Sequence, residues 1–219
     1  MKTKHIVWVG IALVIIIALA AYFAVRLDNQ VAVGTVPPIN VSPQSLTQSG
    51  AVNTFSDGTK TISFMYPNQF IASTGAGMGN NLNADVTAGS VLGTVTIPAS
   101  YIPKTNFQGA ELSVITSSDP KAVAACEQAN PNTGTGVESQ TVIQGVPFKK
   151  FITSDAGAGN FYEMTSYRTV KNNTCYMIEY TIHSTNIGNY SPDQGITAFD
   201  HTSIVNLLDG IVSTFKILK

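Results

Sequence analysis

Two runs of strand-forming residues, Phe161–Val170 and Cys175–His183, are separated by only Lys171-Asn172-Asn173-Thr174. Asparagine tolerates the left-handed backbone that tight turns require, so this is the clearest hairpin in the chain. A turn centred on Asn172-Asn173 sets the register of both strands. Val170 then opposes Cys175, Arg168 opposes Met177, and Ser166 opposes Glu179. Because side chains alternate across a strand, Arg168, Glu179, Cys175 and Met177 share one face. Tyr176, Ile178, Tyr180 and Ile182 share the other. Both faces are rich in apolar residues, which predicts a sheet covered on both sides.

Most of the remaining chain also reads as strand. Lys60–Tyr66 alternates Ile62, Phe64 and Tyr66 with varied neighbours and stops at Pro67. Val91–Ile97 and Glu111–Thr116 are β-branched runs bounded by turn residues. Gln140–Ile143 and Pro147–Thr153 flank a turn at Gln144-Gly145. Two helices interrupt this pattern. Asp119-Pro120 supplies an N-cap and a first-turn proline to a helix that carries Cys126 on its last turns. From about Ala198 to Thr214, Phe199, Ile204, Val205, Leu208, Ile211, Val212 and Phe215 recur at helical spacing. The expected fold class is α+β, an antiparallel sheet with helices on both faces: an α/β/α sandwich preceded by one N-terminal transmembrane helix.

That last element rests on Ile6–Val25, twenty residues without a charge. As a helix the run spans roughly 30 Å, the thickness of a bilayer's hydrocarbon core. Lys2 and Lys4 precede it, so residues 1–5 are expected in the cytoplasm, 6–25 as a signal-anchor, and the rest outside. Ala18-Leu19-Ala20 has the form that signal peptidase cleaves, so a cleaved secretory signal stays open beside a retained anchor. Residues 26–50, with three prolines and no apolar period, read as a flexible linker. Residues 51–219 are the size of one extracytoplasmic domain. They carry nine Lys or Arg against twelve Asp or Glu, a net of −3, which argues against nucleic-acid binding through a basic face. The expected location is the cell membrane, single-pass, with the C-terminal domain outside the cytoplasm. An oxidising location allows Cys126 and Cys175 to pair, closing a loop worth about 4 kcal/mol in the chain-entropy account. Two buried thiols are the alternative.

The strand KTISFMYPNQF (Lys60–Phe70) resembles the aromatic-x-Tyr-Pro opening of PsbP-like domains. The segment Ser154–Leu218, including YRTVKNNTCYMIEYTIHSTNIGNY, is similar to membrane-anchored bacterial proteins with an extracytoplasmic α+β domain and no established activity. What the resemblance implies is a PsbP-like fold, an envelope location and a non-enzymatic accessory or binding role. It implies no catalytic residues.

The residues themselves point the same way. No G-x-S-x-G elbow is present, and Gly89-Ser90-Val91 lacks its flanking pattern. No H-E-x-x-H is present, and the histidines are His5, His183 and His201. His183, Asp193, Asp200 and His201 would satisfy a metal by count, but their spacing matches no ligand pattern. Asp200 and His201 read more simply as the solvated first turn of a helix. Gly75–Gly79 and Gly157–Gly159 read as flexible connections rather than anion cradles, since no helix follows directly. Glu163 and Glu179 point to opposite faces, which breaks a glycosidase pair. Arg168, the domain's only arginine, reads as a structural partner of Glu179, with ligand binding as the alternative. The expectation is therefore no catalytic residue, no metal and no cofactor. The candidate binding surface is Arg168, Glu179, His183, Asn186, Asn189, Tyr190 and Asp193, the last four on a loop where function concentrates. The expected partners are the membrane and an envelope protein or glycan, without nucleic acid. An exported hydrolase with a site near His183 and His201 is the second hypothesis.

Overall fold

A computed structural model describes residues 50–75, 89–129 and 137–219. The apolar run Ile6–Val25, the linker up to Ser49 and residues 76–79 of the first glycine-rich stretch lie outside it. Among the described residues no helix is long and apolar enough to cross a membrane.

The described residues are mostly strand. In order come β1 (Val52–Ser56), β2 (Ile62–Pro67), β3 (Ile71–Ser73), β4 (Ser90–Pro98), β5 (Phe107–Ser117), α1 (Pro120–Ala125) and β6 (Val137–Ile143). They are followed by β7 (Val146–Gly157), β8 (Asn160–Lys171), β9 (Thr174–Thr185), α2 (His201–Ser213) and β10 (Lys216–Ile217). The strands form two sheets: three strands in the order β1-β2-β10, and seven in the order β3-β4-β5-β9-β8-β7-β6. All the strand pairings are antiparallel.

Local chemistry explains the large sheet. Three successive hairpins, β6 through β9, turn on Gln144-Gly145, Ala158-Gly159 and Asn172-Asn173, each with positive φ at both central residues. That is the type I′ geometry, whose twist matches the flanking strands. The β8–β9 register is the expected one: Val170 faces Cys175, Arg168 faces Met177, and Ser166 faces Glu179. Gly157–Gly159 departs from expectation. It is a tight two-residue turn, with β7 running through Gly157, rather than a flexible connection.

The α/β/α sandwich is not formed. One face of the large sheet carries the core: Tyr176, Ile178, Tyr180 and Ile182 of β9 belong to one buried cluster with Ile204, Leu208 and Ile211 of α2. The small sheet completes that layer through Phe55, Ile62 and Phe64 of the same cluster. A Cβ on Gly93 of β4 would lie 2.4 Å from the Phe55 ring, so glycine is what lets the two sheets approach. On the opposite, outer face the one helix among the described residues is α1. At six residues, none of them buried, it is too short to present an apolar stripe and sits at a corner, held to Cys175 by the Cys126–Cys175 disulfide. The alternation predicted cover on both faces, but a helix covers only one, and on the outer face of β9 only Cys175, Met177 and Glu179 are buried.

The β1–β2 turn depends on a buried carboxylate. Asp57 accepts hydrogen bonds from the backbone N–H of Thr59 (3.1 Å), Thr61 (2.6 Å) and Ile62 (2.8 Å), and from the Thr59 hydroxyl. Burial pushes its pKa up, yet these hydrogen bonds outweigh burial and hold it below the ordinary value. A carboxylate with a depressed folded pKa adds stability above the ordinary carboxylate range, and that stability is lost as pH falls through its folded pKa. Asp57→Ala is expected to destabilise by about 1–3 kcal/mol at neutral pH. In urea titrations the gap from the parent should narrow below about pH 4. A gap independent of pH contradicts this account.

Candidate functional site

The outer face of the large sheet carries most of the polar side chains that the strands place together. Antiparallel register lines them up in rows across the strands. In one row Ser73 faces Thr94, Thr94 faces Ser113, Ser113 faces Glu179, and Glu179 faces Ser166. This row is closed at both ends by hydrogen bonds. The Ser73 and Thr94 hydroxyls lie 2.7 Å apart, and Arg168 Nε donates to Ser166 Oγ at 2.8 Å. Its centre is shielded, with Glu179 only 4% exposed and Thr94 and Ser166 buried beside it. The Arg168 guanidinium also lies over the Phe151 ring at 5.0 Å and donates to the Gln128 carbonyl at 3.4 Å. Its planar fork suits this combination of ring contact and directed donors. Arg168 and Glu179 thus share one face, as the hairpin register requires, within its buried half.

The neighbouring row is open. Ile71 faces Thr96, Thr96 faces Glu111, Glu111 faces Thr181, and Thr181 faces Met164. These side chains are half-buried, apart from Ile71 at 76% exposure. Ser113 Oγ donates to Glu111 Oε1 at 3.4 Å. One rung further, Tyr162 faces His183, and the two rings stack with centroids 4.5 Å apart. His183 Nε2 lies 2.8 Å from Asn160 Oδ1, and burial lowers the pKa of its imidazole. Glu179 and His183 are four residues apart on one strand, about 13 Å at 3.3 Å per residue. They lie along one stripe without converging on a common ligand atom.

The loop residues are used differently from expectation. Asn186 caps a short 3-10 turn by accepting from Gly188 N at 2.9 Å, and its own N–H donates to the Gly159 carbonyl at 2.8 Å. Asn189 Nδ2 reaches the same carbonyl at 3.5 Å. The Tyr190 hydroxyl lies 2.6 Å from Thr185 Oγ1 and accepts from Gln108 Nε2 at 3.3 Å. These contacts of Asn186, Asn189 and Tyr190 tie the loop to the β7–β8 turn and the end of the sheet. Asp193 stays exposed, and a hydrogen bond with the Ser191 side chain lowers its pKa.

The histidine–carboxylate cluster considered from spacing does not assemble. His183 points to the outer face, opposite to Glu163, which faces Ile182 on the core side. His201 sits on that core side, with Nε2 3.0 Å from Glu163 Oε1. Asp200 is the N-cap of α2, accepting from Ser203 N at 3.1 Å. The sheet therefore separates the two histidines. Among the described residues no group of three or more His, Cys, Asp or Glu side chains could hold a metal ion.

One polar cluster escaped sequence reasoning. Asp209 of α2 accepts from the hydroxyls of Tyr167 (2.6 Å) and Tyr180 (2.7 Å) through Oδ1, while Lys150 Nζ lies 3.4 Å from Oδ2. Burial, with the Asp209 carboxylate next in importance, holds both phenols far above their ordinary pKa. The signal was available: Asp209 interrupts the apolar stripe between Val205 and Val212, where a carboxylate needs buried donors.

Taken together, these elements define a two-sheet antiparallel domain with a mixed polar outer face. No protein-family model matches the chain, and no curated protein is significantly similar to it. Among solved structures it is similar to the Saccharomyces cerevisiae Ran-binding protein Mog1p, at 9% identity over 77% of this chain and 96% of that one, with a TM-score of 0.45. LpqN of Mycobacterium tuberculosis, described as involved in cell envelope biogenesis, matches at 10% identity over 77% of this chain and 92% of that one, TM-score 0.39. A Bacteroides thetaiotaomicron protein matches at 12% identity over 76% of this chain and 48% of that one, also at 0.39. Likeness at this level carries no inference about ligand or partner.

Proposed function

We propose that this protein is a non-enzymatic accessory or binding module of the cell envelope. The apolar run Ile6–Val25 holds it at the membrane and residues 26–50 act as a spacer. The partner is an envelope protein or glycan, received on the open half of the outer face. The observation that carries this reading is the row Thr96, Glu111, Thr181 and Met164 with Tyr162 and His183 beside it, half-exposed across four hydrogen-bonded strands. A mixed polar and apolar surface on a rigid sheet suits recognition, since its side chains need little ordering on binding.

Site-directed photo-crosslinking in cells tests it. A crosslinker at Thr96 or Thr181 is expected to capture one reproducible envelope component, and one at Lys60 or Lys121, away from the row, is not. Equal capture from all four positions, or none from any, removes the proposal. So does turnover by the purified protein that is abolished by His201→Ala. Fractionation completes the test: the chain should pellet with membranes at full length. A soluble form shorter by about 2 kDa indicates signal cleavage after Ala20 instead.

A further inference from the structure

A second concavity lies away from the outer face, where the β6–β7 turn meets the C-terminal strand β10. It is a cleft of about 270 Å³. Ile143, Phe148 and Phe215 line it and are buried, with the two aromatic rings meeting edge to face at 6.2 Å. Leu218, 49% exposed, contributes a further apolar surface. Lys171, at the end of β8 in the large sheet, and Lys216, at the start of β10 in the small one, also line the cleft. No lining residue is acidic, and neither lysine belongs to an ion pair among the described residues. The amide of Gln144 is already engaged, donating to the Ser213 carbonyl at 2.8 Å.

A cleft of mixed polar and apolar lining, bordered by two lysines that form no ion pair among the described residues, is complementary to a ligand with one anionic end and one aliphatic end. The anion neutralises the two ammonium groups, and the chain removes apolar surface from water. Volume limits the size: 270 Å³ equals about nine waters at roughly 30 Å³ each, enough for a short chain or the end of a longer one. We propose that this cleft binds a single-chain aliphatic carboxylate, its head between Lys171 and Lys216 and its chain over Val146, Ile217 and Leu218. This site is separate from the outer face and stands or falls independently of it.

The test titrates sodium octanoate, and octyltrimethylammonium as its cationic counterpart, into the full chain in zwitterionic lipid nanodiscs, read by amide NMR shifts. Octanoate should give saturable shifts at Val146, Ile217 and Leu218. Two partly exposed charge contacts make its affinity about tenfold higher than that of the cation. Lys171→Gln with Lys216→Gln should erase that preference while leaving chain binding, and Leu218→Asp should weaken octanoate with the lysines intact. Equal affinity for both amphiphiles, or shifts that never saturate, overturns the proposal. Shifts that appear only when the nanodiscs contain anionic lipid, and never with octanoate, also overturn it and identify a membrane-surface contact.

Discussion

Replacing Cys126 and Cys175 together by serine is expected to destabilise the domain by about 4 kcal/mol. The disulfide joins residues 49 apart and encloses all of β6, β7 and β8, so opening it restores substantial freedom to the unfolded chain. It also anchors a helix with little else to hold it, since α1 buries none of its residues. The other ties nearby are modest. Val170 N donates to Glu127 Oε1 at 3.1 Å, and Arg168 Nη1 donates to the Gln128 carbonyl at 3.4 Å. Two serines in place of a buried sulfur bridge add unmatched hydroxyls. For a domain of this size each kcal/mol corresponds to roughly 2–4 °C in Tm, so a fall of about 8–16 °C should appear in a thermal melt. Reductant should move the parent towards the variant and leave the variant unchanged. A loss under about 1 kcal/mol contradicts the account, because it places the restraint outside the disulfide.

Asp209→Ala is the second large effect. It strips the shared acceptor from two phenols that are almost wholly buried, Tyr167 and Tyr180, and the counter-ion from Lys150. Each orphaned buried hydroxyl costs about 1–3 kcal/mol, giving about 2–5 kcal/mol in urea unfolding. Asp209→Asn keeps an acceptor oxygen and should lose less. The cycle is decisive: with Tyr167→Phe and Tyr180→Phe already in place, Asp209→Ala should be far milder, because only the part-exposed Lys150 ammonium then loses its partner. A penalty that persists in the double phenylalanine background locates the cost in α2 itself.

Part of this fold was legible because it is local. The Asn172-Asn173 turn sets the β8–β9 register within a few residues, and from it follow the shared face of Arg168 and Glu179 and the opposition of Glu163 and Glu179. The first helix start was equally local, since Asp119 accepts from the N–H of Lys121 and Ala122 as an N-cap does; the second helix begins at His201 behind an Asp200 cap, later than the expected Ala198. The expected binding surface was legible only in part. Arg168, Glu179 and His183 do occupy one face, but Asn186, Asn189 and Tyr190 satisfy backbone and hydroxyl partners that alternation along a strand cannot reveal.

The amino-acid sequence by itself determined the β6–β7 and β8–β9 hairpins, the β8–β9 register, the Asp119 cap and the cysteine pair available for bonding. Short-range sterics, side-chain alternation and capping hydrogen bonds act over a few residues, whereas the fold had to bring Cys126 and Cys175, 49 residues apart, together. Tertiary structure alone decided the layers. The strand at Ile62–Pro67 pairs with Lys216–Ile217 near the other end of the chain, making a second sheet beside α2 in the layer expected to hold that helix alone. It also decided which donors surround Asp209 and which histidine meets Glu163. Those outcomes depend on contacts between segments far apart in sequence, whose selection is a property of the whole packed core rather than of any local pattern.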